Sequence, residues 1–93
     1  MIYPTENFVN NRGYKQLRSG NINRAIEVFL NNTKNYPNFW NVYDSLGEAY
    51  MLKGNKKSAI ENYEKSIQLN PNNTDGKEML KNFYQKNKAL PIG

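Results

Sequence analysis

The stretch YDSLGEAYMLKGN, Tyr43 to Asn55, is built mostly from good helix formers, yet it carries Gly47 in its middle. Glycine inside a helix costs about 0.5–1 kcal/mol relative to alanine. Tyr43, Leu46, Gly47 and Tyr50 fall at i, i+3, i+4 and i+7, so Gly47 shares the apolar stripe of the helix. The same choice appears thirty-four residues earlier at Gly13. At that single offset Gly20 recurs as Gly54, Asn21 as Asn55, and Ala25, Ile26 and Glu27 as Ala59, Ile60 and Glu61. Phe29 recurs as Tyr63, Pro37 as Pro71 and Asn38 as Asn72, and the shift runs on from Leu46 to Leu80 and from Tyr50 to Tyr84. One offset shared by so many positions marks an internal repeat.

Each unit reads as two helices. Ala59, Ile60, Tyr63 and Ile67 give the second helix its apolar stripe. SGNIN and KGNKK each supply a glycine to end one helix and a short polar start for the next. Pro37 and Pro71 close the second helices. The pattern predicts helices near 6–19, 22–35, 39–53, 56–69 and 73–87, joined by turns so short that neighbours run antiparallel.

The second unit, WNVYDSLGEAYMLKGNKKSAIENYEKSIQLNP, resembles a tetratricopeptide repeat, whose pattern is W-x2-L-G-x2-Y…A-x3-F…P. Leu46, Gly47, Tyr50, Ala59, Tyr63 and Pro71 match it, Ser66 takes the small slot of the second helix, and Tyr43 replaces the tryptophan. The first unit matches at Gly13, Ala25, Phe29 and Pro37, with Arg12 in place of the leucine and Gln16 in place of the tyrosine. The resemblance implies an all-α fold of antiparallel hairpins in a right-handed solenoid. It would form one domain over 1–93: repeat 1 at about 6–37, repeat 2 at about 40–71 and a capping helix at about 73–87. Gly47 and Ala59 would then be the small residues at a close helix crossing, with Tyr43, Tyr50 and Tyr63 filling the space around it. Lys81 holds the glycine position of the third unit, as expected of a polar cap that no partner helix approaches. The start of the stack is open to two readings, an N-terminal cap or a face docking on an upstream domain.

In this family the first helices of successive units line a concave groove that binds protein or peptide. By resemblance the groove positions are Asn7, Asn10, Asn11, Tyr14 and Arg18 in unit one, and Asn41, Asp44, Ser45, Glu48 and Leu52 in unit two. The cap adds Asp75, Glu78, Met79 and Asn82. Four of the eight acidic residues, Asp44, Glu48, Asp75 and Glu78, fall on this face of an otherwise basic chain. The groove is therefore expected to prefer basic or neutral polar ligands. The chaperone-binding subclass holds a terminal carboxylate with a cationic clamp, but the clamp positions here are Asn10, Tyr14, Ser45, Asp75 and Met79, so that ligand is not expected.

Composition narrows the function classes. With no cysteine and no histidine, disulfides, thiolate and imidazole chemistry and almost all zinc sites are excluded. None of the four serines lies in a nucleophile-elbow or S-x-x-K motif, and the glycines are too dispersed for a phosphate loop. The carboxylate pairs Asp44 with Glu48 and Glu61 with Glu64 read as solvated helix surface rather than acid and base. No enzyme site and no cofactor or metal is expected. No apolar run is long enough to cross a bilayer and no signal peptide is visible, which predicts a soluble fragment without a membrane partner. The +5 net charge is carried by scattered Lys and Arg, which favours ordinary solvation over a nucleic-acid footprint. Asn31-Asn32-Thr33 and Asn72-Asn73-Thr74 match the glycosylation sequon, as chance allows in so Asn-rich a chain.

A further resemblance concerns context. NVYDSLGEAYMLKGNKKSAIENYEKSIQLNPNNTDGKEML is similar to the C-terminal tail of many bacterial serine hydrolases of the esterase and β-lactamase-like kinds. It implies an accessory role beside an upstream catalytic domain, or association with a second copy, because two repeats and a cap are few for a stack. A peptide-binding adaptor and an accessory or oligomerisation domain thus both remain open, and the compartment depends on the parent protein.

Overall fold

The computed structural model describes residues 6–89, with the side chains of residues 9–85. They form five helices: α1 (Glu6–Arg18), α2 (Ile22–Asn35), α3 (Trp40–Lys53), α4 (Lys56–Leu69) and α5 (Thr74–Ala89). Every boundary lies within two residues of its predicted place. No strand occurs among the described residues. The chain is an all-α helical repeat of the tetratricopeptide type.

The turns show why the repeat period is also a structural period. Gly54 takes φ 91°, and its N–H and that of Asn55 donate to the carbonyls of Met51 (3.0 Å) and Tyr50 (2.9 Å). Gly20, at φ 82°, does the same with Asn21, donating to Leu17 (3.0 Å) and Gln16 (2.9 Å). This double hydrogen bond satisfies the last carbonyls of a helix and needs a left-handed residue, which favours glycine. The side chain of Asn55 then accepts from Ser58 N–H at 3.2 Å and starts α4. The links between hairpins repeat as well: Phe39 N–H donates to Tyr36, and Asn73 N–H donates to Asn70.

Two hairpins, α1 with α2 and α3 with α4, stack through α2 against α3, while α1 also meets α3 and α5 packs on α4. Ala25, Ile26, Phe29, Leu46 and Ala49 form the core between the hairpins, with Tyr14, Leu17, Ile22 and Tyr50 packed around it. A Cβ placed on Gly47 would meet the Tyr63 ring at 3.1–3.2 Å, and one on Gly13 would overlap the Phe29 ring. The glycines therefore serve the purpose expected of them: each leaves room for an aromatic ring of the facing helix. The group nearest Gly47 is the ring of Tyr63, and Ala59 is buried one turn from Tyr63 on α4. A ring seated on a helix needs a patch without a side chain. Tyr43 differs from expectation. It sits at the edge of the hairpin, donating to the Pro37 carbonyl at 2.9 Å with the Lys65 ammonium 5.9 Å from its ring centre.

The fifth helix follows the same logic. Phe83 approaches Tyr63 at 6.5 Å between ring centres, while Lys81 is exposed. Tyr84, at the position of the packed Tyr50, is itself exposed and donates to Glu64 at 3.1 Å.

Candidate functional site

A cleft of about 450 Å3 opens where α1, α3 and α5 come together, with α4 behind it. Its walls are Tyr14 from α1, Asp44, Glu48 and Met51 from α3, Tyr63 from α4, and Asp75 and Met79 from α5. The α3 residues stand at i, i+4 and i+7, a single helical stripe. Tyr63 reaches this wall because Gly47, beside Glu48, leaves the ring uncovered.

Each carboxylate but that of Asp75 is held by a neighbour. Ser45 Oγ donates to Tyr14 Oη at 2.9 Å, and Tyr14 Oη donates to Glu48 Oε1 at 3.1 Å. The chain of bonds runs from a buried serine outward and orients Glu48. Asn73 Nδ2 donates to Asp44 Oδ1 at 3.2 Å and to Ser66 Oγ at 2.7 Å, while Asn73 Oδ1 accepts the Gly76 N–H at 3.0 Å. One buried asparagine thus joins α3, α4 and the first turn of α5. The second carboxylate oxygens of Asp44 and Glu48 point to no hydrogen-bond donor among the described residues, and the only ion pair there is the exposed Arg24–Glu27, at 3.6 Å.

The electrostatics follow from burial without a counterion. Burial raises the Asp44 carboxyl above the ordinary aspartate value; the Asn73 bond opposes this, and the charges of Glu48 and Asp75 add to it. Burial is also the largest influence on Tyr14, whose phenol is pushed up to about 12; the Ser45 bond opposes, and Glu48 and Asp44 reinforce. Tyr63 is raised by burial, then by Asp44 and Glu48. Both phenols therefore stay protonated at neutral pH, and that of Tyr14 donates to Glu48.

Of the residues assigned to the groove, the structure gathers Tyr14, Asp44, Glu48, Asp75 and Met79 in this cleft. Asn82 lines an adjoining recess. Asn10 and Ser45 are buried: Asn10 Nδ2 donates to the Asn41 carbonyl at 3.3 Å, and its Oδ1 has no partner among the described residues. Asn41 contributes that carbonyl from a half-buried position. Asn11, Arg18, Leu52 and Glu78 are exposed and lie outside the cleft walls. The side chain of Asn7 lies outside the described residues.

Met51, Tyr63 and Asn73 are additions. Met51 was accessible from the i, i+4, i+7 stripe through Asp44 and Glu48, whereas Leu52 is one step round the helix. Asn73 stood in a sequon match and Asp44 with Glu48 in a pair expected to be solvated; the structure shows all three half-buried or buried and hydrogen-bonded. Nothing local distinguishes Asp44 and Glu48, because their partners lie outside α3, and the bonds of Asn73 to Asp44 and Ser66 likewise cross between elements. Among the described residues no cluster of acidic side chains has the arrangement to hold a metal ion, and no helix is long and apolar enough to cross a membrane.

The family model of the tetratricopeptide repeat matches residues 45–73, from the middle of α3 to the asparagine that starts α5. The chain is also similar to Superkiller complex protein 3 of Mus musculus, with 32% identity over 63 residues, 68% of this chain and 4% of that protein. The protein of the same name in Homo sapiens is 32% identical over 60 residues, 64% of this chain and 4% of its own length. The chain thus spans 4% of the length of the curated relatives it matches. Tetratricopeptide repeats are typically non-catalytic scaffolds for contacts between proteins.

Proposed function

We propose that this chain is a protein-interaction module that takes a basic or neutral polar segment of a partner in the cleft between α1, α3 and α5. The observation that carries this is the cluster of Asp44, Glu48 and Asp75 around one opening with no cation beside them among the described residues. Burial is the main cause of the raised Asp44 carboxyl, and repulsion from Glu48 and Asp75 adds to it; a ligand that brings positive charge offsets that repulsion, whereas an acidic ligand increases it. The relatives, by name parts of a complex, support a role in contacts between proteins. Catalysis is not part of the proposal. Ser45 is buried and donates its proton to a tyrosine, and that tyrosine is held neutral, so neither is an activated nucleophile.

The accessory-domain reading rests on the resemblance to hydrolase tails and on the small number of repeats. Nucleic-acid binding has less support still, since Lys53, Lys56 and Lys57 are exposed at the α3–α4 turn, away from the cleft. Titrating matched acidic and basic peptides against the domain tests the proposal. Basic and neutral sets are expected to bind more tightly, and tighter binding of the acidic set overturns it.

A further inference from the structure

We infer that the cleft and the recess beside it form a two-part site for an arginine and a neighbouring aliphatic residue of the same partner segment. The inference rests on the interaction-module reading and names the ligand within it. The recess, about 200 Å3, is lined by Met51, Met79, Asn82 and Phe83. It shares Met51 and Met79 with the acidic cleft, so two thioether side chains form the wall between the openings. One opening carries negative charge and the other is walled mainly by apolar groups.

Each half suits a different side chain. A long basic residue lays its aliphatic stem along apolar surface while its charged head seeks polar partners. In the cleft, Met51, Met79 and the Tyr63 ring offer that surface, and Asp44 Oδ2, Glu48 Oε2 and the Asp75 carboxylate offer acceptors with no partner among the described residues. Acceptors from two helices match the planar five-donor fork of a guanidinium better than the compact ammonium of lysine, which also gives up its hydration less readily. In the recess, the flexible methionines adapt to an aliphatic group and Phe83 supplies a flat floor. Because one wall serves both openings, the two ligand side chains must come from residues close together in one segment.

An array of labelled peptides tests this by fluorescence anisotropy, with Arg, Lys or the neutral isostere citrulline at a fixed centre and Leu or Ser scanned through the flanks. Peptides combining Arg with a flanking Leu are expected to bind tightest, with about a tenfold loss for citrulline and a smaller loss for Lys. The double variant Glu48→Gln, Asp75→Asn is expected to bring the Arg and citrulline peptides to similar affinity. Met79→Ser is expected to erase the Leu preference and keep the Arg preference, with circular dichroism confirming retained helix. Equal binding of Leu and Ser flanks by the unaltered protein overturns the inference even if a variant fails to fold. Citrulline equal to Arg overturns it as well. If basic peptides bind without these preferences, the interaction-module reading survives and only the two-part site falls. If the acidic controls bind more tightly than any basic peptide, both fall.

Discussion

A methyl group added at Gly13 would overlap the Phe29 ring, while one added at Gly47 would lie 3.1–3.2 Å from Tyr63. Alanine gains about 0.5–1 kcal/mol over glycine within a helix, and overpacking a core costs about 1–3 kcal/mol. The balance therefore differs between two glycines that occupy the same repeat position. Gly13→Ala is expected to be clearly destabilising and Gly47→Ala close to neutral, since the Tyr63 ring need shift only slightly. Gly47→Leu is expected to lose about 1–3 kcal/mol. Urea unfolding midpoints check the order, and an unchanged midpoint for Gly47→Leu contradicts it. Tyr14 gives a second prediction at this scale. Its folded pKa, about 12, exceeds the ordinary 10.0, so between those values the folded state keeps a proton that the unfolded state has lost. The stability this contributes is complete below pH 10 and disappears as pH rises toward about 12. The fall in urea midpoint across that window is expected to be shallower in Tyr14→Phe than in the unaltered protein, and equal slopes refute the assignment.

Among the elements, α5 depends most on one side chain. Asn73 Oδ1 caps its first turn, and Nδ2 ties that turn to Asp44 on α3 and Ser66 on α4. Two substitutions separate these duties. Asn73→Ala removes both and is expected to exceed the loss of a cap alone, about 0.5–2 kcal/mol. Asn73→Asp keeps an excellent capping oxygen but removes the donor and faces Asp44 with a like charge, so it is expected to destabilise at neutral pH. If thermal unfolding shows Asn73→Asp as stable as the native protein, Asn73 is only a cap. The repeat period made the helices and their glycine ends legible in the sequence, because capping and apolar periodicity are local properties. The tie from Asn73 to Asp44 and Ser66 was not legible, because those two partners belong to separate helices and asparagine is common along this chain. For the same reason Asp44 and Glu48 read as a solvated pair until α1 and the α4–α5 turn were placed beside them.

The whole molecule combines a basic net charge with an acidic cleft. Binding of a basic peptide should weaken as salt is raised, because exposed charges are screened within about 10 Å at 0.1 M. Affinity measured at low and high salt checks this; a salt-independent affinity would assign binding to the apolar recess alone. Stacking of the hairpins also determines which groove positions remain open. Asn10 and Ser45 occupy groove positions in the repeat register, yet contacts between α1 and α3 enclose them.

The sequence by itself determined the helices, their glycine-ended turns and the period that pairs Gly13 with Gly47. Each depends on spacing along one helix or on one repeated offset. Only the tertiary structure decided that the Tyr63 ring is the group nearest Gly47, that Asn73 joins three helices, and that Met51 and Met79 divide the cleft from its recess. Those outcomes depend on which side chains meet across helices, and a repeat period specifies the register of such meetings without specifying the shape they enclose.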